Sequence, residues 1–187
     1  MSSPTPIVRK LTPEEYLAME LESPVKHEYV AGEIYAMTGT TDTHNIISIN
    51  IVAILRNHLR GSNCRVFMAD LKLKLGLGDS YYYPDLMVSC EKAASRYFRE
   101  RPTLLVEVLS DSTAKFDAGE KRQDYQNLPS LQEYVLVSQE CMDVRVYRRE
   151  AEGWCMDIYT DGMVIPLRSV DLEIPIERVY EEAWESP

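Results

Sequence analysis

The segment TLLVEVLS (Thr103–Ser110) decides the fold, because it places one carboxylate, that of Glu107, inside a short apolar run. The run follows Arg101-Pro102, and its length is typical of a strand that is buried on both faces of a sheet. An unpaired charge in such a place costs several kcal/mol or more. Glu107 is therefore expected to be protonated, paired with a cation, or bound to a metal ion.

The segments before this strand predict a short helix, a β-hairpin and a long helix. Thr12 and Glu15 form a capping-box pattern at the start of the short helix. KHEYVAGEIYAM alternates around its Ala-Gly pair, which is typical of a hairpin. Apolar residues at helical spacing then indicate a helix that is capped by Asp42 or Thr43 and ends at Gly61.

The remaining segments predict strands on both sides of a second helix. CRVFMADLKLKL and YYYPDLMVS precede the Glu107 strand, and a helix over about Asp117–Asn127 and the strand EYVLVS follow it. This order favours an α/β (mixed α+β) fold with a central mixed sheet flanked by helices. We expect one domain over residues 1–187, with residues 1–10 frayed and residues 143–187 forming an antiparallel meander and a final helix near Ile176–Trp184.

The composition limits the classes of function. The chain has a formal net charge of -10 and a pI of about 4.8, so any contact with nucleic acid would need a local basic patch or a metal site. No stretch approaches about 18 consecutive apolar residues, and the N-terminus lacks the apolar core of a secretory signal. We therefore expect a cytoplasmic protein without a membrane span. Its four cysteines are expected to be reduced and buried: Cys64, Cys90, Cys141 and Cys155.

A second carboxylate, that of Asp85, follows Pro84 in the strand before Glu107. Neighbouring strands lie about 5 Å apart, so carboxylates on one face can share a divalent cation. Mg²⁺, with Mn²⁺ as a substitute, prefers oxygen ligands and retains several waters, so Asp85, Glu107 and a backbone carbonyl from Val108 would suffice. The competing interpretation is a pair of unrelated polar residues at strand ends, and the apolar surroundings of Glu107 favour the metal site.

The helix after Glu107 supplies a cation. Its inward face is predicted to carry Ala114, Ala118, Lys121, Tyr125 and Leu128. A buried lysine needs a partner, and the candidates for Lys121 are Asp85 and Glu107 on the sheet. Asp117, four residues before Lys121, offers an ordinary helical ion pair as the alternative. Two carboxylates and an inward lysine suit metal-dependent phosphodiester hydrolysis, in which the lysine orients water or offsets charge on the phosphate.

Several of these segments resemble a known family. YYYPDLMVS, LLVEVLSDSTAKFDAGEKRQDY and EYVLVS, in this order, resemble the Uma-two family of endonucleases in the PD-(D/E)XK restriction-endonuclease-like superfamily. The hairpin KHEYVAGEIYAM, followed by His44 at the start of the long helix, is similar to the family's N-terminal signature. The resemblance covers about Leu11 to Val146, and its most specific part is Glu-Val-Leu-Ser followed by Asp117, Lys121 and Tyr125.

The resemblance implies a restriction-endonuclease-like core, a Mg²⁺ site at Asp85 and Glu107, and catalysis by these residues with Lys121. It also implies DNA as the substrate and a homodimer. One position departs from the superfamily's third motif, since Leu109 stands two residues after Glu107, where a lysine is expected on the strand. The resemblance implies that Lys121 on the following helix takes the place of that lysine.

Other residues are candidates for supporting positions, among them Asp117 and Tyr125. Members of the superfamily often carry an additional acidic residue before the core strands, and Glu28 and Glu33 flank the hairpin turn. A solvated hairpin charge is nevertheless the favoured interpretation for both. His44 fits a neutral hydrogen-bonding partner of the site and an ordinary residue of a helix N-terminus equally well.

Weaker candidates lie between and beside the site strands. Asp70 could face the site, although nothing in its spacing requires it. Tyr81–Tyr83 could stack bases, but tyrosine is common in strands. A basic cluster could contact phosphates, although a solvated loop is the favoured interpretation: Lys92, Arg96, Arg99 and Arg101.

Two functions from different classes follow. The first is a Mg²⁺-dependent endonuclease that hydrolyses DNA phosphodiester bonds. The second is a catalytically inactive homodimeric binding or assembly module that retains the fold and uses Glu107 and Lys121 as a buried ion pair. In either case the C-terminal meander, with Tyr147, Trp154 and Tyr159, offers a dimer surface.

Overall fold

The computed structural model describes residues 10–37, 39–76, 80–92, 95–110 and 113–184, which form three β-sheets, five α-helices and one 3-10 helix, Arg168–Val170. The predicted fraying of residues 1–10 falls almost wholly outside this part. The helices are α1 (Pro13–Glu22), α2 (Asp42–His58), α3 (Ala114–Asp117), α4 (Glu120–Gln126) and α5 (Ile176–Val179). None of the described helices is long and apolar enough to cross a membrane.

The strands follow the chain from the hairpin to the C-terminal meander. They are β1 (His27–Val30), β2 (Glu33–Ala36), β3 (Arg65–Met68), β4 (Lys72–Leu75), β5 (Ser80–Tyr82), β6 (Leu86–Ser89), β7 (Phe98–Arg99), β8 (Leu104–Leu109), β9 (Glu133–Ser138), β10 (Asp143–Glu150), β11 (Gly153–Thr160), β12 (Val164–Leu167) and β13 (Leu172–Pro175). A six-stranded sheet has the order β11-β10-β9-β8-β6-β3, and a five-stranded sheet has the order β2-β1-β5-β4-β7. The pair β12-β13 forms a separate hairpin.

The central strand β8 is buried on both faces, as its apolar sequence predicts. It runs parallel to β9 and antiparallel to β6, so the six-stranded sheet is mixed. Val106 and Val108 pack toward α2 and the C-terminal elements, whereas Leu105 packs with Tyr125 of α4 on the other face. Because alternate residues of a strand point to the same face, Glu107 shares the face of Leu105. The predicted mixed sheet flanked by helices is confirmed.

Two segments that the alternation pattern joins into single strands are each divided between the two large sheets. CRVFMADLKLKL forms β3 in the six-stranded sheet and β4 in the five-stranded sheet. The turn between them holds Ala69 at φ 33, and its N–H donates to the carbonyl of Asp85 at 3.1 Å. YYYPDLMVS is divided at Pro84 into β5 and β6. Pro84 marks the division because it has no N–H to donate to a neighbouring strand. The chain therefore changes sheets immediately before Asp85.

The start of the first helix matches its prediction, and the two longer helices differ from theirs. Thr12 and Glu15 form the predicted capping box, with hydrogen bonds of 2.9 and 3.2 Å. The long helix is capped by Thr41, whose Oγ1 accepts from the N–H of His44, and not by Asp42 or Thr43. The predicted helix 117–127 is divided at Gly119, where a Cβ would lie 2.8 Å from the Lys115 carbonyl.

The C-terminal region forms the predicted antiparallel strands, but its final helix is shorter than predicted. β10 and β11 extend the six-stranded sheet, while β12 and β13 pair with each other. The helix that was expected to reach Trp184 ends at Val179. Glu182 then adopts φ 57, a left-handed conformation that a helix cannot continue through.

The prediction of four reduced, buried cysteines is wrong. Cys64 and Cys90 form a disulfide, and Cys141 and Cys155 are exposed. The bonded pair lies directly beyond the last paired residues of β3 and β6, Arg65 and Ser89, so the antiparallel register brings the two thiols together. The bond ties the edge strand β3 to the sheet.

A buried ion pair joins the far end of this sheet to the C-terminal hairpin. Arg148 is 2% exposed and donates to Glu133 at 2.9 Å, to the hydroxyl of Tyr159 at 3.0 Å and to the carbonyl of Pro166 at 2.6 Å. Glu133 also accepts from the backbone N–H of Ser169 at 2.8 Å. The pair thus holds the hairpin β12-β13 against β9 and β10.

The disulfide generates the first prediction. Replacing Cys64 and Cys90 by serine should lower the free energy of unfolding by about 2–4 kcal/mol, because the unfolded chain loses a cross-link that closes a loop. Urea unfolding with and without dithiothreitol measures the difference. Dithiothreitol should lower the free energy of unfolding of the wild type and leave that of the variant unchanged. An unchanged wild type would show that the disulfide is absent.

The buried pair generates the second prediction. Arg148→Met should lower the free energy of unfolding by about 3–5 kcal/mol, because it leaves the Glu133 carboxylate buried without its cation. Arg178→Met is the matched control, since Arg178 forms an exposed pair with Glu181 that is worth about 1 kcal/mol or less. Equal midpoints in denaturant titrations of the two variants would refute the structural importance of the buried pair.

Candidate functional site

Glu107 lies at the centre of a buried cluster of charged and hydroxyl groups. One carboxylate oxygen, Oε1, accepts from Lys121 Nζ at 2.9 Å and from the hydroxyl of Tyr125 at 3.0 Å. The other, Oε2, accepts from the backbone N–H of Asp85 at 3.2 Å. The carboxylate in the apolar strand is therefore paired with a cation, one of the three outcomes that its burial allows.

Asp85 lies opposite Glu107 at the start of the neighbouring strand. Leu86 pairs with Val106 in the ladder between β6 and β8, which places the preceding residue, Asp85, across from Glu107. Its Oδ2 accepts from the N–H of Val108 at 2.8 Å and lies 3.1 Å from Nε2 of His44. The Asp85 side chain is 20% exposed, so it is the accessible carboxylate of the pair.

Lys121 points inward from α4, as its helical spacing predicts. Its side chain is 6% exposed, and Nζ contacts three carboxylates: Glu107 at 2.9 Å, Glu28 at 3.2 Å and Asp117 at 3.4 Å. The rings of Tyr82 and Tyr125 lie within 6 Å of the ammonium, at 5.6 and 5.9 Å. The position of Gly119 allows this contact, because it separates α3 from α4 and lets both helices present a charged side chain to the sheet.

Glu28 lies in the site, which differs from the favoured interpretation of a solvated hairpin charge. It belongs to β1 of the five-stranded sheet, and besides Lys121 it accepts from the backbone N–H of Tyr83 at 3.2 Å. Glu33, on the next strand of the hairpin, is exposed and pairs with Lys10 as a surface charge. The packing of the five-stranded sheet against the site largely buries Glu28 and leaves Glu33 exposed. Local sequence does not reveal this packing.

Two further tyrosines hold the site together in roles that the sequence did not predict, since Tyr82 was a candidate only for stacking on bases. Tyr82 donates to Asp124 at 2.6 Å, and Tyr134 donates to the carbonyl of Asp117 at 3.1 Å. Both tyrosines are buried within strands, where tyrosine is common, so the local sequence does not separate them from ordinary core residues. Asp124 lies three residues after Lys121 on the same helix, and this spacing is the one feature of the sequence that associates it with the site.

The remaining weak candidates do not join the site. Asp70 is exposed and pairs with Lys26. Tyr81 packs with Tyr16 and Tyr29 in a small aromatic core, which places its ring away from solvent. In the basic cluster, Arg101 pairs with Glu91 at 2.6 Å, in keeping with a solvated charged loop.

Negative charge exceeds positive charge at the site. Burial raises the pKa of the Glu107 carboxyl well above its usual range; Lys121 opposes this shift, and the charges of Asp85 and Asp117 add to it. Burial alone would lower the pKa of Lys121, but the carboxylates of Glu107, Glu28 and Asp117 outweigh it, and the pKa lies well above its usual value. Lys121 thus keeps its ammonium, which contacts three carboxylates, and the carboxylate of Asp85 lies beside that of Glu107.

The donor set suits a hard cation that keeps most of its water. Within the described residues, no three His, Cys, Asp or Glu side chains are arranged as a ready metal cage. Two carboxylates on adjacent strands are nevertheless the ligand set that Mg²⁺ uses when waters and substrate phosphates complete its coordination. Asp85 accepts its described hydrogen bonds through Oδ2, so Oδ1 is the oxygen that an incoming cation would meet. The excess of negative charge adds to the attraction.

The chain is similar to proteins of known sequence and to a solved structure. It is 36% identical over 181 residues to an uncharacterized protein of Synechocystis sp. (strain ATCC 27184 / PCC 6803 / Kazusa), covering 95% of each chain. A second uncharacterized Synechocystis protein is 35% identical over 143 residues, with 74% of this chain and 81% of that protein covered. The crystal structure of a putative nuclease belonging to DUF820 from Anabaena variabilis ATCC 29413 superposes with a TM-score of 0.78 at 18% identity, covering 93% and 99% of the two chains.

The fold therefore matches that of the Anabaena protein, and a family model extends the similarity to sequence. The model, described as "Uma2: Putative restriction endonuclease", matches residues 13–177. That range includes every residue of the charged cluster, from Glu28 to Tyr125. The chain belongs to the Uma2 family, as its Glu107 strand and the segments around it predicted.

Proposed function

We propose that the protein is a Mg²⁺-dependent endonuclease that hydrolyses DNA phosphodiester bonds through Asp85, Glu107 and Lys121. The observation that carries the proposal is the convergence of these three residues: Lys121 Nζ lies 2.9 Å from Oε1 of Glu107, and the backbone N–H of Asp85 donates to Oε2 of the same carboxylate. Membership of a restriction-endonuclease family supports a nuclease-like function for this cluster.

Asp85 and Glu107 are the residues that would hold the ion. When bound, the cation supplies Lewis-acid stabilisation of a phosphoryl oxygen and a bound water of lowered pKa. Mn²⁺ suits the same oxygen ligands. The ion would also reconcile an acidic protein with a phosphate substrate, because the chain has a net charge of -10 and the site itself is negative.

The other residues act by position and charge. Lys121 keeps its ammonium beside Glu107, where it can offset the negative charge that develops on a phosphoryl group or orient the attacking water. His44 contacts Asp85 Oδ2 and so fixes the direction of that carboxylate, whose Oδ1 takes no part in the described hydrogen bonds. Tyr125 holds Glu107 by its hydroxyl, and Asp117 and Glu28 keep Lys121 in place.

One observation favours the second candidate, an inactive binding or assembly module. Lys121 is almost fully buried and already contacts three carboxylates, so its ammonium has the surroundings of a structural counter-ion. In an inactive module the cluster would hold β1, β8 and α4 together and would bind no metal. Metal affinity therefore separates the two functions.

The metal site generates the third prediction. Isothermal titration of Mg²⁺ or Mn²⁺ into the protein should give saturable binding that Asp85→Asn abolishes, because the substitution removes the accessible charged ligand. Asp161→Asn is the matched control, since Asp161 is exposed in the turn after β11, at the far edge of the six-stranded sheet from Asp85. If the wild type binds neither ion at millimolar concentration, the nuclease proposal fails and the module remains.

Catalysis generates the fourth prediction. With Mg²⁺ and plasmid or linear DNA, Lys121→Ala should lower the cleavage rate by about 100-fold or more, because it removes the charge aimed at the reacting phosphate. Lys115→Ala, on the exposed side of α3, is the control and should retain the wild-type rate.

Folding must be separated from chemistry in this experiment, because Lys121 also neutralises buried carboxylates. Lys121→Arg keeps the charge but not the shape of the ammonium, so it should remain folded by circular dichroism while losing most of the activity. Cleavage by folded Lys121→Arg and Lys121→Ala at the wild-type rate would remove Lys121 from the mechanism.

A further inference from the structure

A cavity of about 550 Å³ lies at one edge of the six-stranded sheet, between the end of α2 and the start of β3. Leu59 and Val66 supply apolar parts of its wall, and three arginines supply charge: Arg56, Arg60 and Arg65. None of the described residues that line the cavity is acidic. The cavity is therefore positively charged, although the chain as a whole has a net charge of -10.

The three arginines are not neutralised by carboxylates. Within the described residues, none of them forms an ion pair. Other arginines do: Arg101 with Glu91, Arg145 with Asp143, Arg168 with Glu150 and Arg178 with Glu181. Arg56 lies in the last turn of α2, where a cation stabilises the helix dipole, but Arg60 and Arg65 lie beyond the helix. The helix end therefore does not account for the cluster.

Most donors of these guanidinium groups are unused. Arg65 donates from Nη1 to the carbonyls of Ser62 and Cys64, each at 3.0 Å, which holds its side chain at the turn between α2 and β3. Its other nitrogens, and the guanidinium groups of Arg56 and Arg60, make no hydrogen bond in the part of the chain that the structure describes. An arginine presents its donors as a planar fork that matches the oxygens of a phosphate. The cavity thus offers free donors of the kind that bind phosphate.

An aromatic ring adds a second kind of contact. Phe67 on β3 lines the cavity and is half-buried. The guanidinium of Arg99, on β7 of the five-stranded sheet, lies 4.5 Å from the centroid of its ring. Surfaces that bind nucleic acids combine positive charge with aromatic side chains in this way.

The cavity and Asp85 lie at opposite ends of the same two elements. Near its start α2 places His44 3.1 Å from the Asp85 carboxylate, and α2 ends at the cavity. β3 begins at the cavity with Arg65, and just beyond its end the N–H of Ala69 donates to the Asp85 carbonyl at 3.1 Å. The extended chain from Arg65 to Ala69 spans about 13 Å. Each strand of duplex DNA advances about 3.4 Å per nucleotide, so this distance corresponds to about four base pairs.

The cavity also reaches the face of the sheet that carries Glu107. Phe67 pairs with Met87 in the ladder between β3 and β6, and both pack in the cluster that contains Leu105. Because alternate residues of a strand point to the same face, Arg65 shares the face of Phe67, as Glu107 shares that of Leu105. A DNA backbone that lies along this face can therefore contact the charged cluster and the cavity together.

We propose that the arginine-lined cavity binds a backbone phosphate of the DNA, about four base pairs from the phosphate that is cut. The inference rests on the function proposed above and adds to it a contact away from the metal site. Arg56, Arg60 and Arg65 are positioning residues, because phosphate contacts fix the register of DNA and carry no sequence information directly. The contact therefore sets how much DNA the protein needs beyond the cut, and not which bases it prefers.

Steady-state cleavage of duplex DNA in Mg²⁺ tests the contact. Arg60→Gln and Arg65→Gln should each raise KM about fivefold or more at about 0.1 M salt and leave kcat unchanged, because each removes one phosphate contact away from the reacting group. Both side chains are exposed, so the variants should remain folded. Arg60→Lys keeps the charge and should stay near the wild-type KM. Arg168→Gln is the matched control, since Arg168 pairs with Glu150 on β10, four strands from β3.

Salt and duplex length give readouts that a merely structural role of the arginines would not move. In EDTA, the slope of log affinity against log salt for a fluorescent duplex should fall in magnitude by about 0.9 in each Gln variant. In Mg²⁺, the wild-type KM should rise once the DNA beyond the cut is shorter than about four base pairs, and the KM of Arg65→Gln should show no such rise.

The outcomes separate this inference from the nuclease proposal. Cleavage by the wild type, with KM and salt slope unchanged in both Gln variants or changed equally in Arg168→Gln, overturns the arginine contact and leaves the nuclease standing. Binding in EDTA that depends on Arg60 and Arg65, without cleavage in Mg²⁺, refutes the nuclease and keeps the cavity as a DNA contact of the inactive module. Absence of both binding and cleavage overturns both proposals.

Discussion

The contact between Lys121 and Glu107 is the interaction on which the site and much of the fold depend. The ammonium comes from α4, and the carboxylates around it come from β8, β1 and α3. A buried carboxylate without a cation, or a buried lysine without carboxylates, costs several kcal/mol. The contact therefore joins the helix, the central strand and the five-stranded sheet, and it holds an excess of negative charge in a fixed place.

The path of the chain between the two sheets places the accessible half of the site. The chain leaves the six-stranded sheet after β3 and returns at Asp85, directly after Pro84. This return lets Asp85 exchange hydrogen bonds with Glu107 and Val108 while its side chain stays partly open to solvent. The site thus has a buried half, Glu107 and Lys121, and an open half, Asp85 and His44, which is the arrangement expected of a charged centre that receives a ligand from one side.

Features with a strong local cause were predictable from the sequence. The capping box at Thr12, the buried strand at Glu107 and the inward phase of Lys121 each depend on spacing within one element. The change of sheets after Met68 and before Asp85 was not predictable, because strand alternation shows which residues share a face but not which sheet they join. Glu28 and the Cys64–Cys90 bond were missed for a related reason, since both depend on register and docking between distant segments.

Locating a bound ion tests the central claim, that the carboxylates of Asp85 and Glu107 form a divalent-metal site beside Lys121. Crystals soaked in Mn²⁺ and measured at the manganese absorption edge would show the ion directly by its anomalous scattering. We expect one peak within coordination distance of an oxygen of Asp85 and an oxygen of Glu107, about 2.0–2.3 Å. A peak elsewhere, or none at the cluster in crystals of the active pH range, would contradict the metal site and leave Lys121 and Glu107 as a structural ion pair.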